Sequence, residues 1–256
     1  MFVESNMHNL NSGFMVSGNR KAKAEKIIKI ISEAYSASNS QGYRYNLLDI
    51  GTGNGEIAHY LGDIYEVTSI DTIDQRQIKD GYKFSRIEGE RLPFPDQSFD
   101  IVVSNHVIEH VISADKHLAE IARIIKNDGL VYLATPNRLW PWEVHYRIPL
   151  LHYLPAHVFM SLMKKLNRYH EDIYLLGWGT LKQKTKQYFT LSSFSARICK
   201  WPKRYHIECS PKIANLLGSI PLWFYQIFTF INPTLVVILH RKTQNNENQF
   251  KLFFKN

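Results

Sequence analysis

Between Asn46 and Ala134 short apolar runs alternate with stretches of helical periodicity. Asn46–Ile50, Glu66–Ile70, Phe84–Ile87, Phe99–Val103 and Leu130–Ala134 have the length and near-continuous hydrophobicity of buried strands. Helical patterns precede and separate them. Residues 19–37 put Ile27, Ile28, Ile31 and Ala34 on one face and Arg20, Lys21, Lys23, Lys26 and Lys29 on the other, with Asn19 or Ser17 as cap. Glu56–Leu61 follows the first strand. Residues 114–126 carry Leu118, Ile121, Ala122 and Ile125 on one face, capped by Ser113 and stopped by Gly129. Further on, the pattern predicts a helix over residues 190–199, a sixth strand over 205–209 and a last strand over Thr234–His240. Strand alternating with helix predicts a parallel sheet covered on both faces, in a single domain over residues 1–242 with a loosely ordered tail over 243–256.

Two segments stand outside this alternation. Residues 137–189 are rich in Trp, Tyr, His and Pro with interspersed cations, and read as a lid inserted after the fifth strand. Residues 216–239 carry no charged side chain and are long enough to span a bilayer, but Pro221 and Pro233 interrupt them. Thr234–His240 is needed for the sheet, which leaves too few residues for a span. The remainder, an apolar insertion over residues 211–233, has three readings: a helix packed on the sheet, a homodimer face, or a peripheral membrane contact.

With 256 residues, 45% of them hydrophobic, the chain can fill one substantial α/β domain. A net charge of +8 favours anionic partners, among them phosphate-bearing metabolites and anionic lipid head groups. Cys199 and Cys209 lie near no other Cys or His at metal-ligand spacing, so neither a disulfide nor a metal site is assigned, and a reduced, cytoplasmic chain is expected. Residues 1–21 lack a basic stretch leading into an apolar run, which predicts no secretory leader.

The chemistry begins at Leu47-Leu-Asp49-Ile-Gly51-Thr52-Gly53-Asn-Gly55-Glu56. A strand feeds a glycine turn and then a helix whose first N–H groups are unpaired. A dinucleotide fingerprint would want glycine where Glu56 stands, which disfavours a dehydrogenase. Asp49 before the glycines suits a ligand with a cationic amine better than a pyrophosphate. Asp71, closing the second strand, can accept both hydroxyls of a ribose. Downstream, Leu92-Pro-Phe-Pro-Asp-Gln-Ser-Phe-Asp100 makes a rigid turn that Phe94 and Phe99 can anchor.

Together these motifs resemble the small-molecule branch (type 11-like) of the class I S-adenosylmethionine-dependent methyltransferases, over residues 46–137. The resemblance implies an α/β fold: a seven-stranded, mostly parallel, doubly wound sheet with its last strand antiparallel. It also implies S-adenosylmethionine as cofactor across the strand ends. Carried over, Asp49, Gly51, Thr52, Gly53 and Gly55 hold the amino-acid end, and Asp71 with Thr72 the ribose. Ile87-Glu88-Gly89 replaces the usual Gly-Asp-Ala, so Glu88 and Gly89 take the adenine, and Asn105 meets the methionine moiety.

Methyl transfer needs a base only when the acceptor is a hydroxyl or a protonated amine. His106, His110, His145 and His152 are the candidates. His145, oriented by Glu143, is preferred, with His106 beside Asn105 as a further catalytic candidate. The aromatics and cations of the lid point to a small or lipid-linked acceptor, most simply a sugar or ring hydroxyl, met at the inner face of a membrane. No amino-methylating Asn-Pro-Pro-Tyr element is present, so no nucleic-acid partner is expected. A cofactor-binding but inactive partner subunit is the alternative.

Overall fold

The computed structural model describes residues 19–35, 44–143, 145–169 and 172–242. The N-terminal stretch, part of the polar loop after the first helix and the expected loose tail lie outside them.

The strands are β1 (Asn46–Ile50), β2 (Glu66–Asp71), β3 (Lys83–Arg86), β4 (Phe99–Asn105), β5 (Ile125–Pro136), β6 (Trp142–Glu143), β7 (Ile148–Pro149), β8 (Phe189–Ser193) and β9 (Thr234–Arg241). Seven form one sheet in the order β3-β2-β1-β4-β5-β9-β8, while β6 and β7 make a small separate ladder. The pairs from β3 to β5 are parallel; β9 runs antiparallel to both β5 and β8.

Alternation along the central strands fills two cores. Leu47, Ile101, Val103, Leu130, Tyr132 and Ile238 face one side, where α1 (Arg20–Ala34) contributes Ala24, Ile27, Ile30 and Ile31 and α2 (Glu56–Gly62) contributes Ile57 and Leu61. Leu48, Ile50, Val102, Val131, Leu133 and Val237 face the other, against Leu118 and Ile121 of α3 (Ala114–Ile124). Asn19 caps α1 and Ser113 caps α3, as the sequence predicts.

The sequence reading fails at the sheet's far edge. The sixth strand is Phe189–Ser193, where a helix is expected, and the helix shortens to α6 (Ser195–Lys200). Residues 205–209 form no strand. Pro202 opens a 3-10 turn there, Tyr205 is fully buried with its hydroxyl donating to Glu33 Oε2 at 2.9 Å, and His206 takes a left-handed φ of 55°. The chain is thus pinned to α1 instead of entering the sheet.

The segment expected as a lid divides. A satellite core of Tyr146, Ile148, Phe159, Met160, Met163 and Ile173 forms around α4 (Ala156–Lys165). By contrast α5 (Trp178–Thr185) packs Leu181 into the main core and covers the sheet.

The apolar insertion folds as α7 (Pro211–Ser219) and α8 (Leu222–Ile227), the latter continued by a 3-10 turn to Ile231. The two pieces bend by 88° at the break containing Pro221, and among the described residues no single helix is long and apolar enough to cross a membrane. Burial on the sheet, one of the three readings, is excluded. Ile213, Leu216, Trp223, Phe224, Ile227, Phe228, Phe230 and Ile231 are all exposed. The bend is held from below: Lys200 Nζ donates to the carbonyls of Gly218 and Ile220, and Tyr225 Oη donates to Leu217 O at 2.8 Å.

Candidate functional site

Because β1 to β4 are parallel, their carboxyl ends open on one side, and the predicted cofactor residues gather there. The glycine loop leaves β1 and folds back over β2, with the N–H groups of Gly51 and Thr52 donating to Ile70 O at 2.8 and 3.2 Å. Gly51, Gly53 and Gly55 have φ of 82°, 55° and 87°. A Cβ on Gly51 would lie 2.6 Å from Val107 Cγ2, and one on Gly55 2.2 Å from Ile78 O. At Gly53 it would meet nothing within 4 Å. Gly51 and Gly55 therefore serve the fold, while Gly53 turns bare backbone to open space.

Asp49 lies under this loop, 4% exposed. Ser69 Oγ–H donates to its Oδ2 at 2.7 Å, and Thr52 Oγ1 lies 2.6 Å from Ser69 Oγ. Since the serine has one proton to give, Thr52 is the donor in that second bond. Burial raises Asp49 to about 6, against the Ser69 hydrogen bond and with help from the charge of Asp71. None of the groups acting on it is a cation. Ser69 carries no signal in the sequence; only its register opposite Asp49 reveals it.

Asp71 knits the loops together. Its Oδ2 accepts from Gly53 N–H at 2.9 Å, and its Oδ1 from Thr72 N–H at 2.7 Å. Residues 72–82 return over the glycine loop, where Asn54 O accepts from the N–H groups of Gln77 and Ile78 at 2.9 and 3.2 Å. Glu88 and Gly89 follow β3, both exposed, and Gly89 has a φ of 81° with open space at its Cβ. Asn105 closes β4, half-buried. The Leu-Pro-Phe turn is anchored as expected, with Phe94 edge-on to Phe99 at 4.9 Å. Arg123, which the sequence reading did not single out, also holds it by donating to Leu92 O and Phe94 O at 2.9 and 2.7 Å.

A second cluster forms where the loop after β4 meets the insertion after β5. Glu143 is buried, with Oε1 2.8 Å from His145 Nδ1 and Oε2 accepting from Tyr146 N–H. Burial opposes its charge, but the bonds from His145 and from the backbone of Tyr146 and His145 prevail and hold it below the usual range. Glu109 is fully buried. Its Oε2 accepts from Thr135 Oγ1 at 2.9 Å, and its Oε1 lies 3.3 Å from His106 Nδ1 and 4.0 Å from His110 Nε2. Burial again works against the charge, and His106 and His110 outweigh it, so Glu109 also sits low. The rings of His110 and His145 stand edge to face at 5.2 Å. His145, Glu143 and His106 are thus brought into one group, linked through Glu109 and His110. His152 stays outside it, buried with Nε2 3.0 Å from Arg138 O. Ligand atoms of Glu109, His110 and His145 lie within 4.8 Å of one another, a set able to hold a metal ion. Nothing in the sequence pairs Glu109 with the insertion after β5.

Residues 48–133 match the family model described as "Methyltransferase domain". The chain is similar to a malonyl-[acyl-carrier protein] O-methyltransferase of Geobacter sulfurreducens, at 33% identity over 34% of this chain and 37% of that one. It is also similar to a probable S-adenosylmethionine-dependent methyltransferase of Mycobacterium tuberculosis, at 30% identity over 37% of this chain and 36% of that one. The matches thus span little more than a third of these relatives' lengths. In fold it is similar to an S-adenosylmethionine-dependent methyltransferase from Mesorhizobium loti, with a TM-score of 0.54 and 13% identity over 88% of this chain and 99% of the other.

Proposed function

We propose that this chain, which carries a class I S-adenosylmethionine-dependent methyltransferase domain, moves the sulfonium methyl of S-adenosylmethionine to a hydroxyl of a small or lipid-linked acceptor. The observation that carries the reading is the buried carboxylate of Asp49, raised to about 6, beside the bare backbone of Gly53 and the carboxylate of Asp71. A cofactor ammonium supplies the cation that Asp49 lacks, and Asp71, whose Oδ1 serves Thr72 and Ile73 and whose Oδ2 serves Gly53, keeps acceptor capacity on Oδ2 for a ribose hydroxyl. Glu88 and Gly89 face the adenine, and Asn105 the methionine end.

The reaction is an in-line displacement. The acceptor O–H gives its proton to His145 Nε2, the O–C bond forms as the C–S bond breaks, and the electron pair stays on sulfur, leaving S-adenosylhomocysteine. Glu143 on Nδ1 fixes the ring and steadies the imidazolium; His106, on Glu109, is the second proton-accepting candidate. The protein's main contribution is alignment and exclusion of water.

Cofactor binding should depend on pH through Asp49. Its pKa in the folded chain lies above the ordinary 3.8, so its contribution to ligand-free stability is present below that value and is lost as the pH rises through about 6. Binding has the opposite sign, because only the carboxylate attracts the ammonium. Affinity measured by calorimetry should be about tenfold weaker at pH 5 than at pH 7.5. A flat profile would remove Asp49 from the site.

Proximity supports a lipidic acceptor. Asn137, at the exit of β5, donates through Nδ2 to Phe230 O and Asn232 O, each at 2.8 Å, which ties the apolar helices to the end of the strand that leads toward the His–Glu cluster. Each large side chain immersed in lipid contributes roughly 1.5–3 kcal/mol, so a few of those exposed suffice for peripheral binding. The protein should float with anionic phosphatidylglycerol vesicles at low salt. Trp223→Glu with Ile227→Glu should abolish flotation without changing Tm, because these side chains are 59% and 58% exposed. Absence of flotation by the native chain, with a dimer in solution, would make the patch a homodimer face.

Turnover distinguishes the enzyme from an inactive partner subunit. Incubation with methyl-labelled S-adenosylmethionine and host-cell lysate should place label in the organic extract, and Asp71→Ala should remove it. Label confined to the aqueous fraction would refute the lipidic acceptor and keep the methyltransferase. Cofactor binding without label in any fraction would favour the inactive partner.

A further inference from the structure

At the acceptor end of the cleft three side chains from two separate loops converge, and their surroundings are those of metal ligands. We propose that Glu109, His110 and His145 form a site for a divalent first-row transition-metal cation, an inference that rests on reading this cleft as the acceptor end.

Glu109 and His145 are each oriented from behind. Thr135 Oγ1 holds Glu109 through Oε2 at 2.9 Å, and the buried Oε1, which forms no well-aligned hydrogen bond, has His106 Nδ1 beside it at 3.3 Å. That oxygen points into the cluster, 4.0 Å from His110 Nε2. Glu143 holds His145 through Nδ1 at 2.8 Å, which leaves Nε2 as the ring's ligand atom. A carboxylate on one imidazole nitrogen with a metal on the other is the recurrent outer-shell arrangement of metal-bound histidine. Glu143, buried and also held by the backbone N–H of Tyr146, is a rigid support for it.

The spacing allows coordination with small movements. The ligand atoms lie within 4.8 Å of one another. Bonds of about 2.0–2.2 Å need them roughly 3–3.5 Å apart, a contraction that rotation of the half-buried His110 and His145 supplies. Two imidazoles and one carboxylate suit zinc, cobalt, manganese or iron, and leave positions open for an acceptor oxygen. Magnesium and calcium prefer all-oxygen sets and are disfavoured.

The site also explains the charge arrangement. Two carboxylates, Glu109 and Glu143, are both fully or nearly fully buried within this one cluster. A cation between their imidazole partners compensates both. It would lower the pKa of a bound acceptor hydroxyl. With His145 Nε2 on the metal, the proton passes to His106, which is exposed and has Nδ1 3.3 Å from Glu109 Oε1.

The test is cobalt binding to the full chain, followed by visible absorption and by metal content after gel filtration. One equivalent of cobalt with d–d bands typical of mixed nitrogen and oxygen ligands is expected, displaced by zinc. Glu109→Gln and His145→Ala should each abolish stoichiometric uptake, and Glu143→Gln should weaken it about 10- to 100-fold. S-adenosylmethionine affinity should persist in all three, which shows that they fold. Sub-stoichiometric uptake by the native chain would overturn the site, as would equal uptake by native chain and variants. If methyl transfer then continued in chelator, the methyltransferase reading would stand with His145 as bare base. Metal binding without cofactor binding would overturn the functional reading and leave the metal site.

Discussion

Replacing Asp49 by Asn is expected to weaken S-adenosylmethionine binding about a hundredfold while leaving the ligand-free chain as stable as before, or more so. The two effects have one cause. Asp49 is 4% exposed, and its carboxyl is lifted to about 6 by burial. Keeping it ionised near neutrality therefore costs folding free energy. Asn removes that cost and still accepts the Ser69 hydrogen bond seen at 2.7 Å. What it cannot do is attract an ammonium group. Losing a charged hydrogen bond in a buried setting costs about 1.5–3 kcal/mol, which reaches a hundredfold at its upper end. Calorimetry and thermal melting of the same sample check both halves. A variant that melts lower and binds as before would show that Asp49 is a structural residue.

The second large effect separates two glycines two positions apart. Gly55→Ala should lower Tm by about 10 °C, because the new Cβ would lie 2.2 Å from Ile78 O and 2.3 Å from Tyr82 Oη at a φ of 87°. Left-handed backbone costs an L-residue about 1–2 kcal/mol, and overpacking adds about 1–3 kcal/mol. Gly53→Ala pays the backbone cost alone, since its Cβ would meet nothing within 4 Å. Tm should fall by only a few degrees, yet cofactor affinity should collapse, because that open space is where the ligand must approach the chain. Equal losses of stability in both variants, with affinity kept at Gly53→Ala, would contradict the placement of the cofactor.

The cofactor half of the site is legible because it is local. Asp49, the glycines and Asp71 are each delivered by the end of a strand whose apolar run is visible, so the order of elements already places them side by side. Glu88 and Asn105, proposed for the adenine and methionine ends, follow from the same logic at β3 and β4. The sixth strand is not legible. Phe-Thr-Leu-Ser-Ser at a sheet edge is too short and too polar to show its period, and the β-like stretch near Ile207 is diverted by Pro202 and Tyr205. Composition also cannot tell a core helix from an exposed one, so the exposure of residues 211–233 is a property of the fold alone. The Glu109–His145 meeting is a tertiary event between a loop after β4 and an insertion after β5, and no periodicity predicts it.

The most direct test of the account is a crystal structure with S-adenosylhomocysteine. Density is expected across the ends of β1 to β4, with the amino group against Asp49, the backbone of Gly53 facing the ligand, the ribose hydroxyls on Asp71 and the adenine between Glu88 and Gly89. Density elsewhere, or an amino group that makes no contact with Asp49 at neutral pH, would contradict it.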